Sequence, residues 1–178
     1  MDIFDQKQVL ESFHVIVDNR EQDTPRAKER YSNIGVPIER ATLDYGDYTF
    51  NAMLPTGTPI YDIGTRIKPT CVIERKMDLD ELAQCFTRNR ERFTKEFKRA
   101  KENNARVYLL VENASYEKLI NGRYKSRFNS KAFIGSVTAF MVRYNMGLLF
   151  CREESTPALI REILYRDLKE RLERGDYG

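Results

Sequence analysis

Glu74, Arg75 and Lys76 stand in a row where an apolar, β-favouring run through Val72 and Ile73 ends, and Asp78 and Asp80 follow directly. An apolar strand has no packing reason to finish in three consecutive charges. Metal-assisted phosphodiester hydrolysis does supply a reason. It needs a carboxylate to hold the ion and an ammonium near the attacking water. Strand alternation puts Glu74 and Lys76 on one face and Arg75 on the other.

Other carboxylates recur where strands are expected to end. Asp18 and Glu21 follow a run through Val15-Ile16-Val17, and Asp47 follows Gly46 in a turn. A hard cation such as Mg²⁺ or Mn²⁺ takes oxygen ligands and keeps several waters, so one or two carboxylates plus a substrate phosphate suffice. Asp47 and Glu74 are the first choice as ligands. Lys76 would lie beside the bound water, whose pKa the metal lowers. The Arg75 side chain should face away, although its backbone carbonyl can still reach an ion. Each of these residues also has a structural reading. Asp47 suits a turn after glycine, Asp78 and Asp80 suit a helix N-terminus, and Asp18 with Arg20 suits an ion pair.

The elements that must position these groups are legible from pattern. Phe13–Val17 reads as a buried strand, and Thr24-Pro25 opens a helix to about Ser32 with Gly35 as its stop. Val36–Leu43, Tyr48–Leu54 and Thr70–Glu74 read as further strands, expected to form an antiparallel run. Asp78 caps a helix carrying Leu79, Leu82, Ala83 and Phe86 inward. A second helix spans about Arg90–Asn103, with Phe93, Phe97 and Ala100 on one stripe. Ala105–Val111 is almost wholly apolar, as expected of a strand covered on both faces. Lys131–Tyr144 has helical apolar spacing, Leu148–Cys151 is a last strand, and Thr156-Pro157 starts a final helix to about residue 173. The expected fold is α/β, a central mixed sheet flanked by helices, in one domain over residues 1–178 with its core at about 13–151.

Composition narrows the classes. With 41% apolar and 32% charged residues in 178, the chain suits a soluble globular domain with a large core. No apolar run approaches the roughly 20 residues of a spanning helix, and the acidic start Met1–Asp5 lacks a signal-peptide core. An intracellular location is expected, cytoplasmic (a microbial nucleoid) or nuclear, without a membrane partner. Three scattered cysteines and one histidine argue against a disulfide scaffold and a zinc site. Net charge is only +3, so its distribution matters more. Arg88, Arg90, Arg92, Lys95, Lys98, Arg99, Lys101 and Arg106 crowd one stretch, opposed by Glu91, Glu96 and Glu102. A second cluster, Arg123, Lys125, Arg127 and Lys131, contains no acid.

Taken in order, these motifs resemble the XPF family of structure-specific DNA endonucleases. Its signature is Gly-Asp, a variable stretch, Glu-Arg-Lys, three residues and Asp. Here these are Gly46-Asp47, Glu74-Arg75-Lys76 and Asp80. Val15–Glu21 is similar to the family's opening strand and acidic turn, Leu43–Tyr48 to the lead-in to its Gly-Asp, and Val107–Glu112 to the strand after the long helix. The resemblance implies a restriction-endonuclease-like core and Mg²⁺- or Mn²⁺-dependent hydrolysis of branched, flapped or forked DNA. It implies Asp47 and Glu74 as metal ligands and Lys76 at the nucleophile. Asp18 and Glu21 would be further acids of the site, with Arg75 and Asp80 in support. Arg75 would alternatively pair with an acid on its own face. Arg88 and Arg92, the cations nearest the motif, would contact DNA phosphates.

The stretch 51–69 is longer than in compact family members. Its Pro55, Gly57, Pro59 and Gly64 suggest a hairpin projecting from the sheet, able to touch DNA or a second subunit. Many members of that family carry a tandem helix-hairpin-helix domain; none is expected after the last helix here, and substrate choice would then rest on this domain or a partner. The family also implies a homodimer, through Lys131–Tyr144 and Thr156–Leu172. Two further readings stay open: a non-catalytic DNA-binding or scaffold subunit of a nuclease complex, and a restriction-like or junction-resolving nuclease.

Overall fold

The computed structural model describes residues 1–177. Six strands form a mixed sheet in the order β2-β1-β3-β4-β5-β6, with helices flanking it. The chain divides into two compact units, residues 1–72 with 157–177, and Ile73–Thr156. None of the helices is long and apolar enough to cross a membrane among the described residues.

The first unit opens with α1 (Ile3–Glu11), a helix that the sequence pattern did not suggest, capped by the Asp2 carboxylate. Strand β1 (His14–Asp18) follows, then α2 (Pro25–Ile34) and β2 (Ile38–Ala41). Thr24 caps α2 by accepting from the Ala27 N–H, and Gly35 ends it at φ +76°. β1 and β2 pair in parallel, with Val15 opposite Ile38 and Asp18 opposite Ala41. This corrects the antiparallel front half. The helix between the two strands is the crossover that parallel pairing requires. β3 (Tyr48–Asn51) does run antiparallel to β1, Val17 lying opposite Tyr48.

The stretch 51–69 contains a tight turn, where the Leu54 N–H donates to the Thr58 carbonyl at 2.8 Å and Met53 bridges Pro59. The chain beyond that turn does not project. Ile67 is buried with Ile16, Ala41 and Leu43, and Tyr61 packs against them. The apolar residues of the stretch are what draw it back onto the sheet. The last helix, α7 (Thr156–Arg174), buries Ile160, Leu164, Leu168 and Leu172. It is tied to the first unit by Tyr165 edge-on to Phe13, and by Arg171 donating to the Thr70 carbonyl at 3.1 Å.

The second unit begins within β4 (Cys71–Lys76) and continues through α3 (Leu79–Phe86), α4 (Arg90–Glu102) and β5 (Arg106–Glu112). A short helix, α5 (Tyr116–Ile120), was not foreseen, and α6 (Ser130–Tyr144) and β6 (Gly147–Cys151) complete the unit. β5 and β6 are parallel, with Leu109 opposite Leu148. Its centre is an aromatic cluster. Phe86 of α3 meets Phe93 of α4 at 5.5 Å and Phe140 of α6 at 4.9 Å, both edge-on. The apolar stripe of α6 (Phe133, Val137, Phe140 and Tyr144) is consumed in this core. The face it leaves exposed carries Gly135, Ala139 and Val142.

Candidate functional site

In the first unit the signature glycine is fixed by its surroundings. Gly46 has φ +74°, and a Cβ there would fall 1.8 Å from Cγ2 of Val72. No other residue can therefore hold this turn against β4. Asp47 follows it, half-buried, immediately ahead of β3, and its carbonyl accepts from the Asp18 N–H at 2.9 Å. The Asp18 carboxylate, 1% exposed, is heavily engaged. Arg20 grips both of its oxygens, Nε to Oδ1 at 2.9 Å and Nη2 to Oδ2 at 3.0 Å. The backbone N–H groups of Arg20 and Leu43 add 2.7 and 3.0 Å bonds. An acid so occupied anchors backbone, and the ion-pair reading of Asp18 is the one this geometry carries. Glu21 is more open. Its Oε2 lies 3.5 Å from the Tyr48 hydroxyl, which accepts from Arg30 at 3.0 Å.

In the second unit the Glu-Arg-Lys run divides by face, as alternation requires. Glu74 and Lys76 are both buried, and Lys76 Nζ donates to Glu74 Oε1 at 2.5 Å. The ammonium also lies 3.9 Å from Glu81 and 5.8 Å from the centre of the Phe93 ring. Arg75 points elsewhere. Its Nη1 donates at 3.0 Å to Oε2 of Glu112, at the end of β5, and Thr156 donates to Oε1 of the same carboxylate at 2.8 Å. Glu112 is fully buried. The side chain of Arg75 is thus part of a structural pair, which leaves only its carbonyl for a metal.

The start of α3 is fixed by two carboxylates. Asp78 accepts from the Glu81 N–H at 2.8 Å, while Glu81 reaches back to the Met77 N–H at 2.7 Å. Asp80 faces a loop instead, accepting from the Ser126 N–H at 2.6 Å. Arg88 and Arg92 are both exposed, Arg88 after α3 and Arg92 in the first turn of α4. Arg88 is hydrogen-bonded to Gln84.

Three partnerships were not foreseen from the sequence: Glu112 with Arg75, Glu81 near Lys76, and Tyr48 with Arg30 at Glu21. Glu112 did carry a signal, an acid closing an otherwise apolar strand, the same anomaly that draws attention to Glu74.

Among the described residues, no group of three or more His, Cys, Asp or Glu could by itself hold a metal ion. The cysteines join no such group among the described residues. Burial pushes the Cys85 thiol up to about 11 and raises that of Cys151, so both stay protonated near neutrality. The available donors are carboxylate oxygens, which fit a hard ion that completes its shell with water and phosphate.

The decisive comparison is with protein families. The ERCC4 domain model matches residues 17–161, most of the chain. The chain belongs to the ERCC4 domain family. Among solved structures it resembles XPF from Aeropyrum pernix, with a TM-score of 0.58 and 21% identity, covering 86% of this chain and 60% of that one. A complex of XPF from Aeropyrum pernix with DNA gives a TM-score of 0.57 and 22% identity, covering 88% of this chain and 64% of that one. The ERCC4-domain chain thus spans under two thirds of the length of these XPF chains and shares their fold. No curated protein matches it in sequence.

Proposed function

We propose that this ERCC4-domain chain is a divalent-metal-dependent DNA endonuclease acting on branched, flapped or forked DNA. The observation that carries the reading is the buried Glu74–Lys76 pair on one face of β4. Burying a carboxylate and an ammonium costs several kcal/mol even when they are paired, and hydrophobic residues would fill a strand end more cheaply. Chemistry gives the pair a purpose. The intact signature acids and lysine also favour a catalytic chain over a non-catalytic scaffold.

In this reading Asp47 and Glu74 hold Mg²⁺ or Mn²⁺, with the Arg75 carbonyl within the same strand. A bound ion would polarise the phosphate and supply a hydroxide-like water near neutrality. Glu74 keeps the Lys76 ammonium oriented by its 2.5 Å hydrogen bond. Lys76 in turn holds the attacking water or the phosphate oxygen it meets. Asp18 positions backbone beside Asp47, Asp80 supports the start of the helix after Lys76, Glu21 adds negative charge, and Arg88 and Arg92 offset such charge toward DNA.

The test is a panel of labelled blunt duplex, 3′ flap, fork and four-way junction, incubated with Mg²⁺, Mn²⁺ or EDTA. Cleavage of the flap and fork only when a metal is present is the expected outcome. Binding without cleavage under both metals would establish the scaffold subunit instead.

A homodimer is part of the proposal. The apolar stripe of α6 is spent inside the second unit, so the apolar surface that this helix itself leaves to pair is its outer Gly135, Ala139 and Val142 face. Val142 is 86% exposed. Light scattering at micromolar protein should return twice the chain mass of 20.9 kDa, and Val142→Glu should shift it toward the monomer. A monomer mass for the unmodified chain would remove the dimer.

A further inference from the structure

The segment Gly122–Asn129 is a strap with an alternating composition. Arg123, Lys125 and Arg127 are exposed, while Tyr124, Ser126 and Phe128 between them are half-buried. The inward residues are held from several directions. The Tyr124 and Phe128 rings pack on Phe133 at 5.3 and 5.1 Å, and the Tyr124 hydroxyl donates to the Phe128 carbonyl at 2.7 Å. Asp80 accepts from the Ser126 N–H at 2.6 Å, at the middle of the strap. The Arg123 N–H donates to the Lys118 carbonyl at 2.8 Å. No acid occurs between Glu117 and Glu153. On α4, by contrast, Lys95 is neutralised by Glu91 at 2.7 Å. The strap therefore presents three closely spaced cations with no acid in their own stretch of chain, on a backbone already ordered, and Asp80, the carboxylate at its middle, is engaged with that backbone.

We propose that this strap is a contact surface for the DNA backbone, with Arg123, Lys125 and Arg127 facing phosphates and Asp80 as the positioning residue that clamps it. The inference rests on the DNA reading given above and assigns a surface and a role within it. Asp80 lies in the first turn of α3, four residues after Lys76, so the clamp ties the cations to the element that follows Glu74 and Lys76. Cations on an ordered strap can meet phosphates without the cost of freezing a mobile loop. Such contacts carry no sequence information, as suits an enzyme that reads DNA shape.

Two measurements test it. The first is fluorescence anisotropy with labelled fork and blunt duplex in EDTA, followed across salt concentration. Each phosphate contact adds about 0.9 to the slope of log K against log salt. Arg123→Gln/Lys125→Gln/Arg127→Gln should lower that slope by about 2 to 3 and weaken binding about tenfold or more at low salt. Unmodified protein that binds while the triple variant binds equally, with the same slope, overturns the strap alone. Unmodified protein that binds neither DNA overturns the DNA reading and the strap with it. The second is limited trypsin digestion, following fragments that end at Arg123, Lys125 and Arg127 by mass. Asp80→Ala should be cut there about tenfold faster, the loss of one hydrogen bond to a charged acceptor. Asp80→Asn, which keeps an acceptor oxygen, should stay close to the unmodified rate. Equal rates for Asp80→Ala and the unmodified chain, at equal melting temperature, overturn the clamp.

Discussion

Glu74→Gln is expected to abolish cleavage, lowering the rate by about 10³-fold or more, while the protein should stay folded and should still bind DNA. The magnitude follows from the loss of several kcal/mol of metal-borne charge stabilisation, at about 1.4 kcal/mol for each factor of ten. Glutamine keeps the volume and one acceptor for Lys76 Nζ, which now stands 2.5 Å from Oε1. Alanine would instead strand a buried ammonium and confuse instability with chemistry. Lys76→Met should also lose cleavage, though less, because Glu74 and its ion would remain; it takes the cation from the buried Glu74 carboxylate, so its rate is read against its own melting temperature. The decisive check is single-turnover cleavage of a fork at saturating protein, with melting temperature and DNA affinity measured on the same preparations. Glu74→Gln that cleaves at the unmodified rate in Mg²⁺ would remove Glu74 from the metal. Asp47→Asn gives an independent arm, since its half-buried side chain follows a turn that Gly46 already fixes.

The sequence pattern revealed what local chemistry dictates and missed what backbone donors decide. Asp78 as a helix cap, Thr24 and Gly35 at the ends of α2, and the stripe of Phe93 and Phe97 follow from residue type and spacing alone. So does the division of Glu74 and Lys76 from Arg75 by strand alternation. The ion pair of Asp18 with Arg20 is legible too, but the backbone donors that engage Asp18 and Asp80 could not be read the same way. They include the N–H groups of Arg20, Leu43 and Ser126, and an N–H group has no sequence identity. The parallel pairing of β1 with β2 is legible in the sequence, because Thr24-Pro25 opens a helix between the two strands and a crossover helix implies it. The return of Ile67 and Tyr61 onto the core was likewise signalled by apolar residues inside a stretch read as a hairpin from its prolines and glycines. Turn residues mark where a chain reverses; the apolar residues decide where it comes to rest.

Arg75→Met is expected to cost about 3–5 kcal/mol, because it deprives the buried Glu112 carboxylate of its cation. Glu112 is fully buried and Arg75 nearly so, at 16% side-chain exposure, so solvent cannot make good the loss. For a chain of this size the melting temperature should fall by roughly 10 °C. The double variant Arg75→Met/Glu112→Met removes both charges together and should recover most of that stability, since apolar pairs often replace buried ion pairs without loss. Thr156 then loses an acceptor, at a cost of about 1 kcal/mol. Chemical denaturation of the unmodified chain, the single variants Arg75→Met and Glu112→Met, and the double variant measures the coupling directly. Cleavage separates the two possible roles of Arg75. Neither substitution touches its backbone carbonyl, so a metal contact through that atom would survive. A double variant that is stable and cleaves normally makes the Arg75 side chain a structural member of the signature. One that is stable but inactive would return that side chain to the reaction, and would mean that the Glu112 pair serves the orientation of a catalytic guanidinium.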